Sequence, residues 1–99
     1  MKPKIVTLCG STRFEEKFRI LNEYFTMRGY IVLAPGVFAH SRDIQISAAD
    51  KARLDELHKE KIEMSDFIIV ICPNGYIGES TRSEIEYAVA HNKRIYYME

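Results

Sequence analysis

The chain of 99 residues carries 14 basic and 14 acidic side chains, so its formal net charge is zero and it lacks an electrostatic footprint for a nucleic-acid backbone or an anionic membrane. With 46% hydrophobic and 28% charged residues, its composition is that of a globular protein rather than a disordered or fibrous one. We therefore expect a single domain over residues 1–99 whose partner is a small molecule, with neither nucleic acid nor a membrane.

No apolar run approaches the ~20 residues that a membrane span needs. Met1-Lys2-Pro3-Lys4 leads into a short strand rather than into the core of a signal peptide, so the expected location is cytoplasmic. A chain of this size removes only about 60 to 65% of its unfolded surface from water. That shortfall, together with Tyr96 and Tyr97 near the chain end, favours a homo-oligomer, most simply a dimer.

The first strand and the turn after it form one half of a predicted binding site. Ile5 to Cys9 is an apolar, β-branched run between a proline and a glycine, which is typical of a buried parallel strand. The segment Cys9-Gly10-Ser11-Thr12-Arg13 then offers hydroxyls, a guanidinium and the free N–H groups of a helix start. These groups suit an anion such as a phosphate. The plainer alternative is that Ser11 or Thr12 only caps the helix and that Arg13 is solvated.

A helix is predicted from this turn to about Gly29, with capping-box spacing between Thr12 and Glu15. Apolar side chains recur along it at helical steps and predict one buried face. The second strand covers Tyr30 to Ala34. The buried face predicted for the first helix consists of Phe14, Phe18, Leu21 and Phe25.

The segment from Val37 to Ile46 has no clean period, and a loop of this length is either a binding loop or a plain surface connection. A second helix is predicted from about Ser47 to Ser65. His58 falls at the margin of its inward stripe, where a packing role is the plainer interpretation and a catalytic one the alternative. The predicted stripe consists of Leu54, Leu57 and Met64.

Phe67 to Cys72 is the most apolar run in the chain and is therefore the predicted central strand. The second half of the site follows it, where glycines, hydroxyls and charged side chains precede a helix from about Thr81 to Asn92. A fourth strand covers Ile95 to Met98. The closing helix is expected to bury Ile85, Ala88 and Val89.

Thr81 and Glu84 have two interpretations. They are spaced as a capping box, in which each side chain satisfies a free donor of the helix start. Alternatively, a carboxylate in the first helical turn, beside unpaired backbone N–H groups, can carry chemistry. The spacing alone leaves both open.

Strand and helix alternate as βαβαβαβ, which predicts an α/β fold with a small doubly wound parallel sheet, flavodoxin-like or Rossmann-like, and helices on both faces. The expected strand order is 2-1-3-4. It places the topological switch point between the first and third strands, so the turns after Cys9 and Cys72 meet at one crevice. The two halves described above therefore form one site.

Cys9 and Cys72 each end an apolar run and lack metal-ligand or redox spacing. A buried, inert thiol is expected at both positions. No metal and no cofactor are predicted, and the spacing disfavours a redox or metal protein.

The segment from Ser80 to Ala88 resembles the part of nucleoside 2-deoxyribosyltransferases in which a small residue, a Thr, a Glu and an Ala recur at these spacings. The related 2'-deoxynucleoside 5'-phosphate N-hydrolases have a similar Glu, followed by a stretch like Ala88 to Ile95. Their first strand ends in a segment similar to Cys9-Gly10-Ser11-Thr12-Arg13. The resemblance thus covers both halves of the crevice.

This resemblance implies an enzyme that cleaves or transfers the N-glycosidic bond of a 2'-deoxynucleoside or its 5'-monophosphate without a cofactor. Glu84 would be the nucleophile of a covalent glycosyl-enzyme. His58 stands where several relatives have an Asp, and it would protonate the departing base. Substrate contacts are implied for Cys9, Gly10, Ser11, Thr12 and Arg13 after the first strand and for Gly78, Glu79, Ser80 and Thr81 after the third.

Two positions depart from the family pattern, His58 and Glu86, the latter standing where relatives have a small residue. The alternative function is a nucleotide-binding sensor module that uses the same crevice without turnover. A substitution of Glu84 separates the two functions, because it abolishes catalysis in the first and leaves binding possible in the second.

Overall fold

In a computed structural model, residues 2–99 form a four-stranded parallel sheet and three α-helices. The order of the strands is β2-β1-β3-β4, and every neighbouring pair is parallel, which confirms the predicted α/β fold. The strands are β1 (Ile5–Gly10), β2 (Ile31–Leu33), β3 (Phe67–Ile71) and β4 (Arg94–Met98), and the helices are α1 (Glu15–Met27), α2 (Ala48–Met64) and α3 (Glu79–Ala90).

The two central strands, β1 and β3, separate two hydrophobic layers. On one face, Val6 and Ile69 belong to a cluster that is closed by Phe18 of α1. On the other face, Ile68 packs in a cluster that contains Ile62 of α2 and residues of α3. The alternation of side chains along each strand produces this division, because successive residues point to opposite faces. One helix therefore covers one face and two helices cover the other.

The predicted inward faces of α2 and α3 are partly wrong. Leu57, Met64 and Val89 are 52%, 62% and 62% exposed, whereas His58 and Ile62 are buried. The buried row of α2 follows steps of four residues, and a helix turns by about 100° per residue. Leu57 therefore lies well away from the row through His58 and Ile62, and Val89 lies about 100° round α3 from the buried Ala88.

The capping box predicted for Thr12 and Glu15 is also wrong. Ser11 caps a short 3-10 turn, Thr12–Phe14, by accepting a hydrogen bond from the Arg13 N–H, and α1 begins only at Glu15. Thr12 accepts a hydrogen bond from the His40 N–H instead. The start of α2 is as predicted, since Ser47 accepts a hydrogen bond from the Asp50 N–H.

Gly10 shapes the exit from β1. Its φ of +146° is a conformation that favours glycine, and a Cβ atom there would lie 2.8 Å from the backbone oxygen of Ile71. The absence of a side chain therefore lets β1 and β3 stay paired up to the point where both chains turn into the crevice.

Among residues 2–99, no helix is both long enough and apolar enough to cross a membrane. Tyr96 and Tyr97 are about half exposed on the edge strand β4. The homo-oligomer remains a prediction.

Candidate active site

The carboxyl ends of β1 and β3 open into a cleft of about 580 Å³. This is the crevice that the strand order predicts at the switch point. Cys9 does not line it, because its side chain is fully buried beneath the cleft floor. Ten of the predicted site residues line the cleft: Gly10, Ser11, Thr12, Arg13, His58, Gly78, Glu79, Ser80, Thr81 and Glu84.

Arg13 is held at the cleft by two neighbours. Its Nε donates a hydrogen bond to Ser11 Oγ at 3.1 Å, and its guanidinium lies 4.6 Å from the centre of the Tyr76 ring. A cation over an aromatic face is favourable at this distance. The guanidinium is thus placed between the two turns that form the site.

The N-terminus of α3 differs from the prediction. The helix begins at Glu79 after Gly78, which provides no side-chain cap, so Thr81 lies inside the helix and the Thr81–Glu84 capping box is wrong. Glu84 consequently lies in the second turn rather than the first. A short 3-10 turn at Pro73–Gly75 precedes this start. Glu84 is therefore not needed as a cap.

Glu84 and His58 form a buried polar pair beneath the cleft. They are 8% and 5% exposed, and His58 Nε2 lies 3.8 Å from Glu84 Oε1, which is too far for a hydrogen bond. Neither nitrogen of His58 nor Oε1 of Glu84 has a hydrogen-bond partner among residues 2–99. Buried polar atoms without partners are rare in proteins and point to a functional constraint.

Burial moves the pKa values of this pair in opposite directions. It raises the pKa of Glu84 to about 7, helped by the negative charge of Asp55. It lowers the pKa of His58 to about 4, helped by the positive charge of Lys61. Both shifts favour the neutral forms, as desolvation requires. Near neutral pH, His58 is therefore uncharged and Glu84 is close to half ionised.

The Cys9 thiol completes this cluster from below. Its sulfur lies within 4.8 Å of ligand atoms of both His58 and Glu84. Burial, followed by the charge of Glu84, raises the pKa of Cys9 well above its usual range. The thiol is therefore protonated near neutral pH and inert as a nucleophile.

Three charged side chains of α2 that the sequence interpretation did not identify also line the cleft: Lys51, Asp55 and Lys61. Lys51 Nζ lies 3.0 Å from Asp55 Oδ2 and donates a hydrogen bond to Ser80 Oγ at 2.8 Å. The three residues Lys51, Asp55 and His58 are spaced by four and three. That spacing puts them on one side of the helix. It is the sequence pattern from which Lys51 and Asp55 could have been predicted to lie near His58.

The segment between β2 and α2 forms another wall of the cleft. His40 and Ile44 are among its residues that face the cavity. The segment is fastened to α1, because Arg42 and Ser41 both donate hydrogen bonds to the Glu15 carboxylate. Of the two interpretations of this loop, the structure therefore supports the one in which it borders a site.

Comparisons with known proteins identify the fold. No protein-family model matches the chain, and no curated protein matches it significantly. Among solved structures, that of the Clostridium botulinum CMP N-glycosidase BcmB is similar, with a TM-score of 0.62 and 24% sequence identity over 95% of this chain and 70% of the other. At this identity the likeness shows a shared α/β fold.

The raised pKa of Glu84 predicts a pH-dependent effect of Glu84→Gln on stability. An ordinary glutamate has a pKa near 4.5, and the folded value is about 7. Stability from the neutral carboxyl is thus fully present below pH 4.5 and is lost as the pH rises through 7. Gln stays neutral at every pH. The free energy of unfolding of Glu84→Gln should therefore exceed that of the parent by an amount that grows across this window to about 3 kcal/mol.

Urea unfolding of both proteins at pH 4.5 and pH 8 measures this difference. The contribution of His58, whose lowered pKa adds stability as the pH rises from 4 to 6.5, is present in both proteins and cancels to first order. Glu86→Gln, on the exposed side of α3, is the matched control. If the free energy of unfolding of Glu84→Gln exceeded that of the parent by the same amount at both pH values, the Glu84 carboxylate would not be destabilised by burial.

Proposed function

We propose that this protein cleaves or transfers the N-glycosidic bond of a 2'-deoxynucleoside or its 5'-monophosphate, as a nucleoside 2-deoxyribosyltransferase-like enzyme of the cytoplasm. The observation that carries the proposal is the buried carboxylate of Glu84, which lines the cleft and whose Oε1 makes no hydrogen bond of good geometry with residues 2–99. A carboxylate of this kind is available to react, because its one hydrogen-bonding neighbour among the described residues is the Cys9 thiol, which is a weak donor.

In the proposed reaction, an oxygen of ionised Glu84 attacks the anomeric carbon of the sugar. The bond between this carbon and the base nitrogen breaks, the base leaves with the bonding electrons, and it takes up a proton. Water or a second base then attacks the same carbon and releases the Glu84 carboxylate. Because the pKa of Glu84 is about 7, the reactive form is abundant at neutral and alkaline pH.

The structure changes the proposed source of the proton. With a pKa of about 4, His58 carries no extra proton near neutral pH and is a poor general acid there. Asp55 is a second carboxyl group at the same cleft, and its charge acts directly on Glu84. Retaining glycosidases use such a pair of carboxyl groups. Because Asp55 is negatively charged, we assign it the role of general base toward the attacking water in the second step, while the departing base takes its proton from water in the open cleft and His58 packs beside the nucleophile.

The remaining predicted residues are proposed to hold the substrate. Gly78, Ser80 and Thr81 lie at the start of α3 above Glu84, where they would contact the sugar. Arg13 lies across the cleft with Ser11, where its guanidinium would bind the 5'-phosphate. The similar structure is that of a CMP N-glycosidase, which supports a nucleotide as the class of substrate.

Product analysis tests the reaction. The protein is incubated with 2'-deoxynucleosides, ribonucleosides and their 5'-monophosphates, with and without free bases, and the products are separated. The expected result is release or exchange of the base, with a loss of several orders of magnitude in Glu84→Gln, because a carboxamide is no anionic nucleophile. Glu86→Gln, the exposed control, should keep the parent activity.

Two outcomes would contradict the proposal. An active Glu84→Gln variant would remove Glu84 from the role of nucleophile. Binding of a nucleotide by the parent without any conversion, under all these conditions, would instead identify a nucleotide-binding sensor module.

Arg13→Ala tests the proposed phosphate contact. Loss of a charge-assisted hydrogen bond costs about 1.5 to 3 kcal/mol. The variant should therefore bind monophosphates roughly 10- to 150-fold more weakly while its affinity for nucleosides changes little, as measured by calorimetry. Arg82→Ala is the matched control, because Arg82 is an exposed arginine of α3 outside the cleft lining. Equal losses for both kinds of ligand would mean that Arg13 has a structural role only.

A further inference from the structure

Three potential metal ligands from three different elements converge beneath the cleft. Cys9 comes from β1, His58 from α2 and Glu84 from α3. The sulfur, an imidazole nitrogen and a carboxylate oxygen all lie within 4.8 Å of one another, and all three residues are buried. The residues are far apart in the sequence, so this cluster arises only from the packing of the two helices against the strand.

The ligand atoms of this cluster make only weak contacts with their neighbours, namely the Leu8 backbone beside His58 and the Cys9 thiol beside Glu84. Both nitrogens of His58 and Oε1 of Glu84 lack hydrogen bonds of good geometry among residues 2–99, although both residues are more than nine-tenths buried. Each such atom has lost its hydration without replacement. A cation placed between them would engage the carboxylate, one imidazole nitrogen and the sulfur together.

We propose that Cys9, His58 and Glu84 form a binding site for a divalent transition-metal ion of the Zn²⁺ type. Sulfur, nitrogen and oxygen donors together match Zn²⁺, whereas Mg²⁺ and Ca²⁺ prefer oxygen ligands alone. His58 and Glu84 both line the cleft. The cluster therefore lies next to the cleft, through which an ion would enter.

The geometry is close to what such an ion needs. Bonds of about 2.0 to 2.3 Å in a tetrahedral arrangement place ligand atoms roughly 3.3 to 3.7 Å apart. His58 Nε2 and Glu84 Oε1 already lie 3.8 Å apart. The sulfur lies within 4.8 Å of ligand atoms of both residues, so a side-chain shift of about 1 Å would bring it to bonding distance. On binding, the thiol releases its proton to solvent and coordinates as a thiolate.

The other close pair of this kind is on the surface and is a weaker candidate. His91 Nε2 lies 3.9 Å from Glu63 Oε1, but the two side chains are 37% and 44% exposed. Glu63 already accepts a hydrogen bond from the Tyr87 hydroxyl. Among the described residues, no third His, Cys, Asp or Glu ligand lies close to this pair. His91 therefore provides the matched control for metal binding outside the buried cluster.

The site would regulate the reaction proposed above. An ion on Glu84 occupies the carboxylate that must attack the sugar, so the metal-bound protein would be inactive and a chelator would restore it. This consequence rests on the proposed function. The binding of the ion does not.

Titration with Co²⁺, followed by competition with Zn²⁺, tests the site through the absorption of a cobalt–thiolate bond. One equivalent should bind with a thiolate charge-transfer band that is present in Cys72→Ser and absent in Cys9→Ser. His58→Gln and Glu84→Gln should each weaken Zn²⁺ binding by about 100-fold or more, and His91→Ala should bind as the parent does. Circular dichroism checks that each variant is folded.

Absence of stoichiometric binding in the parent would overturn the proposal. A cobalt–thiolate band that persists in a folded Cys9→Ser variant would also overturn it. So would an unchanged metal affinity in both His58→Gln and Glu84→Gln, and this second test applies even if Cys9→Ser does not fold. Binding that depends on these ligands in a protein without glycosidase activity would uphold the metal site and contradict only the proposed function. Glycosidase activity in a protein that binds no metal would do the reverse.

Discussion

The burial of one carboxyl group with no strong hydrogen bond is the constraint on which the site depends. Glu84 projects from α3 toward β1 and α2, and its Oε1 lies 3.8 Å from His58 Nε2, which also lacks a hydrogen bond of good geometry among residues 2–99. A small domain has a low free energy of unfolding, so the cost of burying such a group is a large fraction of it. Desolvation drives both side chains toward their neutral forms, so the pair remains buried without a salt bridge. The group that weakens the core is thus the one that is available for chemistry.

The topology explains why this group faces a cleft. The chain reverses the direction of strand addition between β1 and β3, so the turns that follow these strands diverge and leave a crevice between them. Gly10 lets the strands pair up to the crevice, and the uncapped start of α3 lies at its edge. Glu84, one turn further along α3, then points back into the core beneath the opening.

Much of this arrangement could be predicted from the sequence because it depends on local patterns. The apolar runs ending at Cys9 and Cys72 predict the strands, their alternation with helices predicts the order, and the order predicts where the two turns meet. What could not be predicted depends on packing. The face of α2 that enters the core carries His58 rather than Leu57. The sequence pattern could not predict this, because a polar histidine next to apolar residues is typical of the edge of a buried face. The contact of Cys9 with His58 and Glu84 has no counterpart in residue spacing.

The most direct test of the central role of Glu84 is mass spectrometry of the protein quenched in acid during turnover of a slow 2'-deoxynucleotide substrate. After cleavage at Arg82 and Lys93, the peptide of residues 83–93 contains both Glu84 and Glu86. Fragmentation should locate a deoxyribosyl or deoxyribosyl-phosphate adduct on Glu84. An adduct on Glu86, or base release that proceeds with no adduct at any time point, would contradict the assignment of Glu84 as the nucleophile.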